Sequence, residues 1–364
     1  METRVVFHID FDYFYAQCEE VRKPELKSKP VCVCVFSDRG GDSGAIATAN
    51  YTARNYGVKS GMPIVFAKKK LEERKDATFL PVDFDYYIET SEKAMKIMKD
   101  NADVFEYVGK DEAYLDVTKK SQGDFNKASH LAQQIKNSIR DKVHLSCSVG
   151  ISQNKLLSKI ASDFKKPDGL TVITPDKTEE FLDPMKIRTI PGIGSKTEKK
   201  FAEMSLETIK DLKKIDIFTL HKEFGRKTGA FIYNASRGID SEPAKEREPS
   251  VQFSKITTLK KDSKEYDFLS ETLSELCKEV HKIIIKNNKM FKSVGIHFVQ
   301  IDLTNKSKSK MLRNATNELE EMQRNADQML KEFLETQKTS IRRLGVRVSE
   351  LSDTQGQSSI TTYF

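Results

Sequence analysis

Three acidic side chains carry the first chemical signal in this chain. Asp10 closes a β-branched and aromatic run from Val5 to Ile9, and Asp111-Glu112 sits between two short runs, Val104–Val108 and Ala113–Val117. Runs of this composition read as strands. If the first and third strands of one sheet are neighbours, the three carboxylates converge on one sheet edge. Carboxylates so placed repel by about 4 kcal/mol per pair at ~4 Å and an effective dielectric of ~20. Either some are protonated or a divalent cation lies among them. Oxygen donors without His or Cys select Mg²⁺, with Mn²⁺ as a substitute. Two such ions are the standard device for phosphoryl transfer from a nucleoside triphosphate. By spacing alone, however, Asp-Glu is a common pair, and the plainer reading is a polar turn.

The elements that must position these acids follow from periodicity. Val31–Phe36 and Leu145–Ile151 read as further strands, and Tyr13 to Arg22 as a helix. Glu89–Asn101 and Phe125–Ile139 read as amphipathic helices, the second with Phe125, Ala128, Ala132, Ile135 and Ile139 at helical steps. With residues 12–85 set aside largely as an insertion, the first half reads β-α-β-β-α-β, the ferredoxin-like pattern. Residues 174–240 change to short helices around the turn Pro191-Gly192-Ile193-Gly194, and 241–250 is a charged, proline-containing linker. A second β-α-β-β-α-β reading follows. Its strands are Val251–Leu259, Val294–Leu303, a short one around Met311 after a Lys/Ser turn (Asn305–Lys310), and Ile341–Val348. The fold class expected is therefore α+β.

Length and composition bound the remaining classes. A chain of 364 residues suggests about two to four domains. Its 38% hydrophobic content argues against wholesale disorder. The net charge of +7 favours polyanionic partners without forming a basic tail, so any nucleic-acid surface must be assembled by folding. The longest clear apolar run, Val31–Phe36, is strand-sized, so no membrane partner is expected, and no signal peptide is visible. The five cysteines form no CxxC pair and read as reduced thiols, which favours a cytoplasmic setting.

The text around the acids overrides the polar-turn reading. Asp10-Phe11-Asp12-Tyr13-Phe14-Tyr15-Ala16-Gln17-Cys18-Glu19 resembles the opening motif of Y-family DNA polymerases, nearest to the archaeal members of the DinB or DNA polymerase IV branch. Ala45 to Arg54 and Gly57 to Pro63 resemble the family's fingers. Asp111 to Asp116 resembles its second catalytic motif, and Ser148–Lys155 and Lys165–Gly169 its later palm motifs. The resemblance implies a palm (1–12 and 78–173), inserted fingers (13–77), a helix-hairpin-helix thumb (174–240), a linker (241–250), a little finger (251–351) and a flexible tail (352–364). It implies template-directed, low-fidelity translesion synthesis on primer-template DNA, without proofreading, by a monomer.

Carried over by residue, the resemblance gives Asp10, Asp111, Glu112 and the Phe11 carbonyl to two metal ions. It gives Tyr13, Phe14, Tyr15, Thr48, Tyr51, Arg54 and Lys166 to the dNTP, with Tyr15 as the steric gate against a 2′-hydroxyl. Val35, Ala45, Ala47 and Gly61 would line the nascent base pair, and their small size implies a roomy site. Gly109 and Lys110 depart from the family, which usually has Ser and an aliphatic residue there. Lys110 could offset the acids, approach the primer phosphate, or point to solvent.

Two further surfaces concern DNA. Gly192 and Gly194, followed by Lys196, Lys199 and Lys200, fit a hairpin whose backbone N–H groups approach a phosphate. In the little finger, Arg342, Arg343 and Arg347 are strand-fixed candidates for backbone contact, and Lys306, Lys308 and Lys310 mobile ones. At the C-terminus, Gln357, Ile360, Tyr363 and Phe364 resemble the PCNA-interacting peptide, which implies a sliding-clamp partner. A palm-type nucleotide cyclase would need neither the PGIG turn nor this peptide. An inactive DNA-binding scaffold would lack the metal acids.

Overall fold

The computed structural model describes residues 3–246, 248–336 and 339–354. They divide into two units, Met1–Val35 with Ala45–Arg247, and Phe36–Gly44 with Glu248–Phe364. The first is built on strands β1 (Val6–Asp10), β2 (Val31–Phe36), β3 (Gly44–Ala49), β4 (Thr78–Pro81), β5 (Val104–Tyr107), β6 (Glu112–Asp116), β7 (Ser148–Ser152) and β8 (Leu170–Val172). Its main sheet has the order β5-β6-β1-β7-β8, so β1 and β6 are central neighbours as the ferredoxin-like reading requires. β8 adds a fifth strand, parallel to β7. β2, β3 and β4 form a separate three-stranded sheet with its own small core around Ile46, Val58 and Ile64.

The two faces of the main sheet differ chemically. Phe7, Ile9, Ala113, Leu115, Val149 and Ile151 belong to one apolar core with the helices Phe84–Asp100 and Phe125–Val143. Asp83 and Asp124 cap those helices by accepting N–H bonds from their first turns. Val6, His8 and Asp10 point the other way, opposite Asp116, Tyr114 and Glu112 on β6. The helix Lys155–Phe164 lies on this second face. It comes close because Gly150, opposite His8, has no side chain: a Cβ there would sit 1.9 Å from the Ser158 carbonyl oxygen. The same helix gives Leu156, Leu157 and Ile160 to the core of the thumb helices.

Residues 241–246 are more firmly held than a linker reading suggests. Ala244 is buried with Val6 and Tyr114, Arg4 donates to the Asp240 and Glu242 carbonyls, and the Lys245 amide donates to Glu106.

The second unit carries β9 (Gln252–Ser263), β10 (Lys289–Gln300), β11 (Asn305–Thr316) and β12 (Ile341–Asp353), with helices Tyr266–Lys286 and Leu319–Thr336. The succession is again β-α-β-β-α-β, but the order β11-β10-β12-β9 is not that of the palm. The expected Lys/Ser turn at 305–310 is instead the first half of β11. Its lysines pair in register with β10, and polar side chains on an edge strand hid the strand pattern. Among the described residues no helix is long and apolar enough to cross a membrane.

Candidate active site and nucleic-acid interface

Strand pairing brings the acids together. Asp10 at the end of β1 lies directly opposite Glu112 at the start of β6, and the Phe11 amide donates to the Asp111 carbonyl at 2.8 Å, locking the third acid alongside. Burial pushes the Asp111 carboxyl up, and Asp10 and Glu112 add to the effect. The hydrogen bond from His8 and the Lys159 ammonium hold Glu112 down at about 2. Lys166 Nζ lies 2.7 Å from Asp10 and 2.9 Å from Asp163, and Lys159 Nζ 2.5 Å from Glu112. A carboxylate cluster with one member resisting ionisation, and two ammonium groups drawn in, suits a hard cation. The residues present therefore fit the implied metal.

His8 and Lys159 were not anticipated. His8, Asp10 and Glu112 place ligand atoms within 4.8 Å of one another, which makes His8 a formal candidate ligand. Both of its ring nitrogens are already engaged, however: Nδ1 with Ser162 Oγ at 2.8 Å and Nε2 with Glu112 at 3.1 Å. Burial keeps the imidazole pKa low, so it is a neutral prop for Glu112. The period of two along β1 puts His8 on the same face as Asp10 and could have revealed it. Asp12, the other acid of the opening motif, faces elsewhere. It accepts from Ser146 Oγ, Ser148 Oγ and the Asp168 amide, tying the palm loops together.

Of the nucleotide-binding candidates, Tyr51, Lys166 and Tyr15 lie nearest these acids. The Tyr51 hydroxyl is buried with no hydrogen-bond partner among the described residues, an orphan donor of the kind a ligand satisfies. Its pKa is raised by burial and by Asp12 and Asp10, and lowered by Arg54 and Lys166, so these groups share one neighbourhood. Arg54 donates through Nε to the Ala49 carbonyl and its guanidinium lies 5.0 Å from the Tyr51 ring. Thr48 is half-buried on β3. Tyr13 is more enclosed than a direct nucleotide contact suggests: its hydroxyl donates to Glu20 and its ring meets Tyr51 edge-on. Phe14 is fully in the core. Lys166 is engaged with two carboxylates here.

Tyr15 is fixed from beneath. Its ring stacks on Tyr87 at 4.5 Å and 16°, and Tyr87 donates its hydroxyl to Glu19 at 2.7 Å. Burial raises the Tyr15 pKa, with Asp111 the next cause, so the ring lies near Asp111. Lys110 does not stand free in solvent: its ammonium lies 4.7 Å from the centre of the Phe84 ring, which meets Tyr15 edge-on. Val35 is exposed at the end of β2. Ala45 and Ala47 share a face of β3, and Gly61 donates its amide to Ile46 with nothing within 4 Å of where a Cβ would stand.

The DNA-grip candidates sort by direction. Gly192 has φ +89, a backbone suited to glycine, and Gly194 caps the helix Ser195–Glu203. Lys196 is exposed, whereas Lys200 is bound to Glu223. In β12, Arg343 and Arg347 are exposed on the sheet face away from the helices, beside Gly295, His297 and Gly345. Arg342 does not join them: it sits at a pairing irregularity, 4.0 Å from Asp262. Lys308 and Lys310 reach Glu332 and Gln328 of the Leu319–Thr336 helix, so they point to the opposite face. Gln357, Ile360, Tyr363 and Phe364 lie outside the described residues.

Comparison with known proteins gives one answer. Residues 9–163 match the impB/mucB/samB family, 188–240 the DNA polymerase-iota thumb domain, and 250–361 the impB/mucB/samB family C-terminal domain. The chain is 74% identical to DNA polymerase IV of Nitrosopumilus maritimus, with both chains covered in full. It is 35% identical to DNA polymerase IV of Saccharolobus solfataricus over 97% of this chain and 98% of that one. Among solved structures it resembles a Y-family DNA polymerase chimera, Dbh-Dpo4(243-245)-Dbh, at TM-score 0.89 and 32% identity, covering 96% of this chain and 99% of the other. It also resembles the insertion ternary complex of Dbh DNA polymerase, at TM-score 0.70 and 33% identity with the same coverage. Neither the cyclase nor the scaffold reading is favoured by these matches. With palm acids on one sheet face, a helical thumb and a C-terminal sheet domain, the chain belongs to the Y-family DNA polymerases, in the DinB or DNA polymerase IV branch.

Proposed function

We propose that this DNA polymerase extends a primer using Asp10, Asp111, Glu112 and the Phe11 carbonyl as the seat of two Mg²⁺ ions. The observation that carries this is the Asp10–Glu112 juxtaposition across β1 and β6, with Asp111 locked beside it. Bound there, the ions would activate the primer 3′-hydroxyl and neutralise charge on the departing pyrophosphate. The chain's own groups do the rest. Thr48, Tyr51, Arg54 and Lys166 hold the triphosphate, with the Tyr51 hydroxyl as a ready donor. Tyr15 occupies the space a 2′-hydroxyl would need. Val35, Ala45, Ala47 and Gly61 check the new pair loosely, which suits damaged templates and low fidelity.

The remaining parts serve grip and delivery. Gly192, Gly194 and Lys196 in the thumb and Arg343 and Arg347 in the little finger bind primer-template backbone without reading sequence. The Gln357–Phe364 peptide tethers a monomer in the cytoplasm to a PCNA-type clamp and raises its concentration at the primer end. Primer extension with Mg²⁺ and dNTPs tests the core of this reading. Asp111→Ala with Glu112→Ala should abolish extension while DNA binding survives; continued extension would sink the assignment.

A further inference from the structure

The fingers carry an apolar groove that the polymerase reaction does not use. The helix Ile64–Lys70 buries Ile64 and Ala67 in the fingers core, with Leu71 one residue beyond its end. That accounts for one face of the helix. The other face also presents apolar side chains: Val65 is 56% and Phe66 59% exposed. Phe66 borders a groove of about 700 Å³ that also includes Met62, Pro63, Lys59, Lys69 and Lys70. All three lysines are exposed. An exposed aromatic ring framed by exposed cations has the composition of a platform for single-stranded nucleic acid.

We propose that this groove binds one unpaired base of the single-stranded template ahead of the primer terminus. The inference rests on the polymerase reading above and adds a binding site to it. Bases stack on exposed aromatic rings regardless of sequence, while neighbouring cations hold the backbone. Phe66 offers the ring; Lys59, Lys69 and Lys70 offer the charge. The position along the chain fits. The segment 61–63 is bonded to β3 through Gly61 N to Ile46 O, Ile46 N to Met62 O and the Ala45–Pro63 bridge. β3 carries Ala45 and Ala47, the candidates for the nascent pair. One short stretch of chain therefore joins the proposed base-pair pocket to the groove, a route for the next template base. A protein partner with an acidic surface is the competing occupant, and the test separates the two.

The experiment compares primer-template duplexes that leave either one or five unpaired template residues. Fluorescence anisotropy gives the affinity of the full-length protein for each. A 5-iodouracil at the second or third unpaired position, irradiated in the complex, reports which residue it stacks on. The wild-type protein should bind the longer overhang roughly 5- to 100-fold more tightly, with the cross-link at Phe66. Phe66→Ala should erase that gain and the cross-link while leaving the one-residue duplex bound and extended as before. Phe66→Trp should restore both. An overhang gain that survives Phe66→Ala, or a cross-link elsewhere, overturns the proposal and leaves the groove to a protein. Equal loss on both duplexes overturns it too. Failure of wild-type extension on the short overhang would instead count against the polymerase reading.

Discussion

The Lys159 ammonium lies 2.5 Å from Glu112 Oε2, on the carboxylate that faces Asp10 across the central strands. Glu112 is held ionised by the hydrogen bond from His8 on β1 and by this ammonium from the palm helix, while Asp111 beside it is pushed toward its neutral form by burial and by its two acidic neighbours. The two acids should contribute to stability with opposite signs in the metal-free protein. Glu112 has a folded pKa near 2, below its ordinary value, so its contribution is present above about pH 4.5 and lost as pH falls toward 2. Asp111 has a raised folded pKa, so its penalty grows as pH rises through the carboxylate range. In EDTA at pH 7, Asp111→Asn should raise Tm by roughly 2–4 °C, and in Mg²⁺ the same variant should fail to extend a primer. The gain should vanish near pH 3. A variant less stable than wild type at pH 7 would contradict the sign.

Tyr15 rests on Tyr87 and is flanked by Phe84. A ring clamped in this way cannot swing aside to admit a 2′-hydroxyl. Tyr15→Ala should therefore lower discrimination between dNTP and rNTP by about 10- to 100-fold, the equivalent of ~1–3 kcal/mol of steric overlap. Tyr15→Phe keeps the ring and should keep the discrimination. Single-nucleotide incorporation kinetics decide the matter, and unchanged selectivity in the alanine variant would remove the gate.

The open face of the little-finger sheet assigns different weights to its cations. Arg343 and Arg347 point outward, whereas Lys308 and Lys310 serve the helix beneath. Each phosphate contact contributes close to one unit to the slope of log K against log salt. Arg343→Ala and Arg347→Ala should each flatten that slope by about 0.9, at any DNA sequence. Lys308→Ala and Lys310→Ala should leave it nearly unchanged. A DNA titration over a range of salt concentrations measures both.

The C-terminal peptide should be separable from catalysis. Deleting 357–364 is expected to abolish stimulation by the clamp and to leave clamp-free extension intact. Equal loss of both would show that the tail supports the enzyme itself.

What the sequence displayed and what it hid divide along physical lines. Strand patterns placed Asp10, Asp111 and Glu112 at one sheet edge, but by spacing alone Asp111-Glu112 read as a polar turn, and only the motif text around them singled them out; the β1–β6 pairing follows from the β-α-β-β-α-β succession. His8 was within reach of the period of two along β1, but Lys159 was hidden because its role arises from packing a helix onto the sheet, a contact with His8 151 positions away. The first half of β11 was missed because its alternating Lys and Ser carry no apolar signal, whereas the strand expected around Met311 lies in its second half. Direction was the weakest inference of all. Arg342 and Arg343 are neighbours in sequence, yet an irregularity in strand pairing sends one toward Asp262 and leaves the other on the open face.

Gly150 joins fold to site and offers the most demanding test. A Cβ there would stand 1.9 Å from Ser158 O and 2.4 Å from Ser162 N, both backbone atoms that cannot rotate away. Gly150→Ala must push the Lys155–Phe164 helix off the sheet, drawing Lys159 from Glu112 and Ser162 from His8. The cost should be about 2–4 kcal/mol in chemical denaturation. A displacement near 1 Å should lower kcat about 100-fold. Gly194→Ala makes the contrast, since its φ of −90 suits any residue and nothing lies within 4 Å. It should cost less than about 1 kcal/mol in stability and should weaken DNA binding, because the added methyl group stands where a phosphate is expected. If Gly150→Ala left both stability and kcat unchanged, close packing of that helix would not be what positions the acids.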